Sequence, residues 1–203
     1  MTLIVDYGVG NLFSLRSSFA AIGTDVSVSN KPEEVAAADK IILPGVGAFC
    51  DASKKLQESG MREAVLEAAS KGTPLLGVCL GMQLLFDRSF ENGEYEGLGL
   101  IKGDVIGLKD IIPAGLKIPQ IGWNALQLEK ACPLFGRIKE GDYVYFVHSY
   151  AAVGMGDALA ATTEYGATVT AAVSKDNIFG CQFHPEKSGD VGLNILKAFC
   201  EDI

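Results

Sequence analysis

The chain has 203 residues, of which 48% are hydrophobic and 21% charged, with a net charge of -8. These are the proportions of an ordinary globular chain, and one domain, residues 1–203, fits the length better than two. The acidic balance and the absence of a basic run argue against gripping a nucleic-acid backbone or a membrane surface, and no apolar stretch reaches membrane-spanning length.

The first six residues lack the basic start and long apolar run of a signal peptide. Leu3-Ile4-Val5 reads as a short buried strand, followed by the turn Gly8-Val9-Gly10-Asn11. Leu12, Leu15, Phe19 and Ile22 recur at helical spacing up to Gly23, a helix-stopping position. Val26 and Val28 alternate as in a strand. Asn30, with Glu33 three residues on, has the form of a capping box. Ile41-Ile42-Leu43 is the next buried strand and ends at Pro44-Gly45-Val46-Gly47. One long helix is expected from about residue 52 to 69, closed by Gly72. Pro74 opens the strand Leu75-Leu76-Gly77-Val78.

This alternation predicts an α/β fold: a central, mostly parallel sheet with helices on both faces. The second half changes character. Residues 98–108, 121–128, 143–150, 159–163, 169–173 and 178–183 read as strands, and residues 191–200 as a last helix. The strand-rich half is expected to extend the same sheet in antiparallel fashion. The five cysteines (Cys50, Cys79, Cys132, Cys181 and Cys200) contain no C-x-x-C pair. Neither a zinc site nor a disulfide framework is expected, a reducing cytoplasm is the natural setting, and no metal or organic cofactor is indicated.

Gly77-Val78-Cys79-Leu80-Gly81 has the form of a nucleophile elbow with Cys in the Ser position, after a strand and before the apolar run Met82-Gln83-Leu84-Leu85-Phe86. A helix N-terminus behind Cys79 would favour a thiolate. The bland alternative is a small buried cysteine. Phe183-His184-Pro185-Glu186 contains one of only two histidines. In an extended chain, residues two apart point to the same side. Glu186 would then orient the His184 ring, leaving its other nitrogen for Cys79; the alternative is a surface ion pair. Gly45-Val46-Gly47 could present a backbone donor to an oxyanion, or be an ordinary turn. Gly8-Val9-Gly10 lacks the third glycine of a dinucleotide fingerprint. His148, in an aromatic and β-branched run, reads as a core histidine, and Trp123 as core or interface.

Together, Gly77-Val78-Cys79-Leu80-Gly81-Met82-Gln83 and Phe183-His184-Pro185-Glu186 resemble the class I, triad-type glutamine amidotransferases. Five further segments narrow the resemblance: residues 6–11, Pro44-Gly45-Val46-Gly47-Ala48-Phe49, Gly122-Trp123-Asn124, residues 145–150 and His184-Pro185-Glu186-Lys187-Ser188. They are similar to the glutaminase subunits of imidazole glycerol phosphate synthases, of histidine biosynthesis. The resemblance implies a flavodoxin-like fold and a Cys79, His184, Glu186 triad that hydrolyses glutamine through a thioester. It implies oxyanion donors at Leu80 and Gly45-Val46-Gly47, a loop able to switch by a peptide flip. Glutamine would be held by Gln83, Glu91, Ser149 and Tyr150. Ammonia would pass to a cyclase subunit in a heterodimer, met through Asn11, Trp123, Tyr145 and Lys187. Gln120-Ile121 stands where that family usually has His-Met, a departure expected to alter the partner-facing surface. The triad alone leaves open a glutaminase serving another synthase, a cysteine hydrolase or a binding module on the same fold.

Overall fold

The strand segments Leu3-Ile4-Val5, Ile41-Ile42-Leu43 and Leu75-Leu76-Gly77-Val78 are apolar on both sides, and both of their faces are buried. The computed structural model describes all 203 residues. The first half contains β1 (Thr2–Val5), α1 (Leu12–Ala21), β2 (Val26–Ser29), α2 (Pro32–Ala36), β3 (Lys40–Leu43), α3 (Phe49–Glu58), α4 (Met61–Ser70), β4 (Leu75–Val78) and α5 (Leu80–Gln83). There follow β5 (Phe86–Ser89), β6 (Tyr95–Glu96), β7 (Ile101–Gly107), β8 (Gln120–Ala125), β9 (Gln127–Leu128) and β10 (Tyr143–His148). The chain closes with β11 (Tyr150–Val153), β12 (Leu159–Glu164), β13 (Thr168–Lys175), β14 (Ile178–Cys181) and α6 (Gly189–Glu201). No helix is long and apolar enough to cross a membrane.

The main sheet has the order β2-β1-β3-β4-β14-β13-β12-β9. Its first five strands are parallel, and β13, β12 and β9 continue it in antiparallel pairings. Successive side chains on a strand face opposite ways, so each apolar strand feeds two cores. Leu3, Ile41, Leu43 and Leu75 pack with Val35, Leu56 and Val65 of α2, α3 and α4. Ile4, Ile42 and Leu76 pack with Phe19 of α1 and with Ile195 and Phe199 of α6.

Several local expectations are corrected. The long helix of residues 52–69 is two helices, α3 and α4, broken where Gly60 takes φ 73°, a conformation glycine adopts without steric cost. The Asn30 capping box does not form. Pro32, with its fixed φ and no N–H, sits at the first helical position and makes Lys31 the cap. The Ser29 hydroxyl instead donates to Glu34 at 2.6 Å. The helical run after Cys79 stops at Gln83, because Leu98 and Leu100 donate to the carbonyls of Leu84 and Leu85 at 2.7 and 2.9 Å. Phe86 then begins a strand. The second half extends the main sheet only in part: β8 and β10 form a two-stranded ribbon, and β11-β7-β5-β6 a separate four-stranded sheet. The expected strand at residues 143–150 divides at Ser149, whose carbonyl accepts from Leu108 at 2.8 Å.

Close backbone packing fixes the end of β4. A Cβ at Gly81 would collide with the Leu43 carbonyl oxygen, and one at Gly45 would stand 2.7 Å from Gly81 N. Gly81→Ala is expected to destabilise the chain by about 1–3 kcal/mol, the usual scale of overpacking, read as a lower midpoint in urea unfolding.

Candidate active site

Cys79 joins β4 to α5 with φ 55° and ψ -112°. A side chain in this region is strained, and the surrounding structure must hold it there. Cys79 N donates to Cys181 O at 2.8 Å, which ties the turn to β14. Leu80, as the first residue of α5, has an N–H without an intrahelical acceptor. The expected help from a helix dipole is small, because α5 is only four residues long. A charge on the sulfur would therefore have to be met mainly by side chains.

The His184 ring supplies one such group. Its Nδ1 is 2.8 Å from Glu186 Oε1, with the two side chains only 5% and 2% exposed. The geometry that brings them together is not the extended chain expected from the sequence. Pro185–Lys187 form a 3-10 turn with His184 as its cap, and the turn folds the carboxylate back onto the ring. The turn is anchored to the ribbon: His184 N donates to Tyr145 O at 2.9 Å. The Ser188 hydroxyl donates to His184 O at 2.6 Å and accepts from Tyr145 N at 2.9 Å. Burial pulls the His184 pKa down, but hydrogen bonding and charge from Cys79 and Glu186 outweigh it and raise the value to about 10.

A cavity of about 310 Å³ opens over these groups. Of the residues expected at the site, it brings together Val46, Gly47, Cys79, Leu80, Gln83, Glu91, Ser149, Tyr150 and His184. Gly45 is not on its wall and packs against Gly81. Glu91 is positioned by the start of α3, where Phe49 N donates to its Oε2 at 2.8 Å. Gln83 Nε2 donates to Tyr150 O at 3.1 Å and to Gln182 Oε1 at 2.9 Å. The cavity also takes in Pro119, Val147 and His148, which sequence reasoning did not place there. Both ring nitrogens of His148 have partners, Tyr150 O at 2.8 Å and Gln120 Oε1 at 3.0 Å, and burial pushes its pKa down to about 4. Tyr7 was likewise missed: its hydroxyl donates to Pro44 O at 2.7 Å and braces the loop that carries Val46 and Gly47.

The four residues expected at a partner surface do not all behave alike. Trp123 is 60% exposed on the ribbon, edge-on to Tyr145 at 4.8 Å between ring centroids. The Lys187 ammonium stands 5.7 Å from the Tyr145 ring centroid. Asn11 caps α1 by accepting from Ser14 N at 3.2 Å. Gln120 is fully buried, whereas Ile121 is 61% exposed. Of the Gln120-Ile121 departure, only Ile121 therefore alters the outer surface.

The family model for glutamine amidotransferase class-I matches residues 3–203. The chain belongs to the class-I glutamine amidotransferase family. Among curated members, the imidazole glycerol phosphate synthase subunit HisH of Caldanaerobacter subterraneus subsp. tengcongensis is 51% identical, over 98% of this chain and 97% of that protein. The subunit of the same name from Aquifex aeolicus is 46% identical, over 98% of this chain and 95% of its own. Among solved structures, PurLQS from Thermotoga maritima aligns with a TM-score of 0.76 at 20% identity, over 99% of this chain and 97% of that one. At that identity the likeness speaks for the amidotransferase fold, the flavodoxin-like sheet expected from the sequence.

The His184 pKa in the folded chain lies above its ordinary 6.5. The stabilisation from the protonated ring is therefore complete below pH 6.5 and is lost as pH rises through about 10. Glu186→Gln removes the charged partner and is expected to destabilise the fold by about 1.5–3 kcal/mol near pH 6.5, the scale of a hydrogen bond to a charged group. Denaturation across pH should show that gap narrowing toward pH 10.

Proposed function

We propose that this chain hydrolyses glutamine to glutamate and ammonia, and that it does so as the glutaminase subunit of an imidazole glycerol phosphate synthase. The observation that carries the hydrolysis is the convergence of Cys79, His184 and Glu91 on one cavity. The near end-to-end similarity to curated HisH subunits supports the choice of synthase.

In this reading the Cys79 thiolate attacks the side-chain amide carbon of glutamine. The oxyanion is met by the Leu80 N–H and by the Gly45-Val46-Gly47 loop, with Gly45 acting through packing. Protonated His184 gives its proton to the departing ammonia and then takes one from the water that hydrolyses the thioester. Glu186 holds the ring by Nδ1, so that Nε2 is the nitrogen left for proton transfer. Glu91 has one oxygen bound by Phe49 N and can pair the other with the substrate ammonium, a cation that needs a partner once buried. Gln83 and the Ser149-Tyr150 backbone complete the glutamine site.

Ammonia then passes to a separate cyclase subunit, where it serves formation of imidazole glycerol phosphate. The exposed Ile121, Trp123 and Tyr143 on the ribbon, beside Tyr145 and Lys187, support a docking face for that subunit. Asn11 is assigned to the same interface from the family resemblance. One copy of each chain is the expected assembly.

The test is glutamate release by the purified chain, alone and with a cyclase subunit plus its nucleotide ligand. Release should rise strongly in the complex and fall by about three orders of magnitude or more in Cys79→Ala. A chain that turns over glutamine but is not stimulated by the cyclase belongs to a different synthase. Glu91→Gln is expected to raise KM for glutamine about ten- to a hundredfold, with a smaller effect on kcat, in the same assay.

A further inference from the structure

His184 is not the only donor near the nucleophile. Gln182 is fully buried between β14 and the His184 turn, and its Nε2 stands 3.7 Å from Cys79 Sγ. The direction of that contact is fixed by its surroundings. The Tyr150 carbonyl can only accept, so Gln83 turns its NH₂ group toward it, at 3.1 Å. The second hydrogen of that group meets Gln182 Oε1 at 2.9 Å. Gln182 is left with its own NH₂ group aimed at sulfur. A relay therefore runs from a backbone carbonyl on the cavity wall, through two buried amides, to the nucleophile.

We propose that Gln182 is a further catalytic residue, whose side-chain N–H donates to Cys79 Sγ and holds the nucleophile in its anionic form. A neutral thiol is a weak acceptor, and a buried N–H facing one is poorly satisfied. A thiolate accepts strongly, so the buried amide favours the anion. The donor is uncharged, which matters for His184. A cation in its place would repel the imidazolium and discharge the base, whereas an amide supports the sulfur and leaves the ring protonated.

The turnover role rests on the glutaminase reading; the effect on the thiol does not. As the S–C bond forms, the sulfur gives its electron pair to the amide carbon, and the C–N bond breaks with a proton from His184 passing to ammonia. Water then adds to the thioester and gives a proton to His184. The S–C bond breaks, its electron pair returns to sulfur, and the Gln182 N–H is already in place to receive that charge.

The experiment follows alkylation of Cys79 by iodoacetamide across pH, read by mass spectrometry at its own peptide so that the other cysteines do not intrude. In Gln182→Met, which keeps the length and removes the donor, the titration midpoint is expected to rise by about one pH unit, the scale of a single hydrogen bond. Alkylation at a pH below the wild-type midpoint should fall about tenfold. Gln182→Glu, which adds repulsion, should move the midpoint further up. Folded variants that titrate at the wild-type midpoint would overturn the assignment. A measurement on the unaltered chain does not depend on how the variants fold. The Gln182 side-chain amide resonances should titrate together with Cys79 in nitrogen–proton spectra, and their indifference to that titration would also overturn it. A chain that fails to turn over glutamine but shows these shifts would contradict the glutaminase reading while leaving the Gln182 contact standing.

Discussion

Everything at the site depends on a backbone turn that most residues avoid. Cys79 is held at positive φ because the strand before it and the helical turn after it are pinned on three sides: by Cys181 on β14, by Leu43 against Gly81, and by Gly45 against the same glycine. The two glycines are required by contact rather than by flexibility, since a methyl group at either would push into backbone atoms. The strain at Cys79 is balanced by the apolar packing of β3, β4 and β14 in the middle of the main sheet, where Ile42, Leu76 and Phe179 are essentially out of water. The turn sets the sulfur at the mouth of a cavity and leaves the Leu80 N–H free.

The remaining chemistry is assembled from other elements. Glu91 comes from the loop between β5 and β6 and is fixed by α3. Gln83 comes from the last residue of α5 and is fixed by Tyr150 at the start of β11. His184 and Glu186 come from the turn after β14. The cavity is thus where all three sheets meet, and each contributes groups that the others orient. The four-residue helix behind Cys79 is therefore not its only neighbour of consequence: the buried Gln182 amide and the His184 ring stand beside the sulfur as well.

The parallel half of the fold was legible in the sequence because its strands are short, apolar on both faces in β1, β3, β4 and β14 and alternating in β2, and punctuated by glycine and proline. Its helix boundaries were less so. Gly60 sits inside a continuing apolar period, and only the sign of its φ reveals the break between α3 and α4. The strand β5 was hidden because Leu84, Leu85 and Phe86 continue a helical apolar pattern, while the hydrogen bonds that end it come from residues 98–100, out of local view. At the site, Cys79, His184 and Glu186 stood out through their residue types and spacing, although a tight turn, not an extended chain, joins the last two. Gln182, Ser188 and Tyr7 carried no such signal as single residues. Each acts through hydrogen bonds to groups that lie on other elements or are distant in sequence. Gln120 was misplaced on the surface because strand alternation does not say which side of a two-stranded ribbon faces the core.

The ribbon of β8 and β10 has a mechanical consequence. Cys79 is moored to the centre of an eight-stranded sheet, whereas the main chain of His184 and the hydroxyl of Ser188 are moored to Tyr145, on a pair of strands with no third neighbour. A two-stranded ribbon is marginal by itself and owes its stability to packing, here of Val144 and Phe146 in the core. The main chain of Cys79 is thus tied to the main sheet, whereas His184 is tied both to that sheet, through Gln182 N donating to Ala171 O, and to the ribbon, through Tyr145 O. The outer face of the ribbon, where Trp123 leans on the Tyr145 ring, is therefore one residue away from the main chain that carries the imidazole.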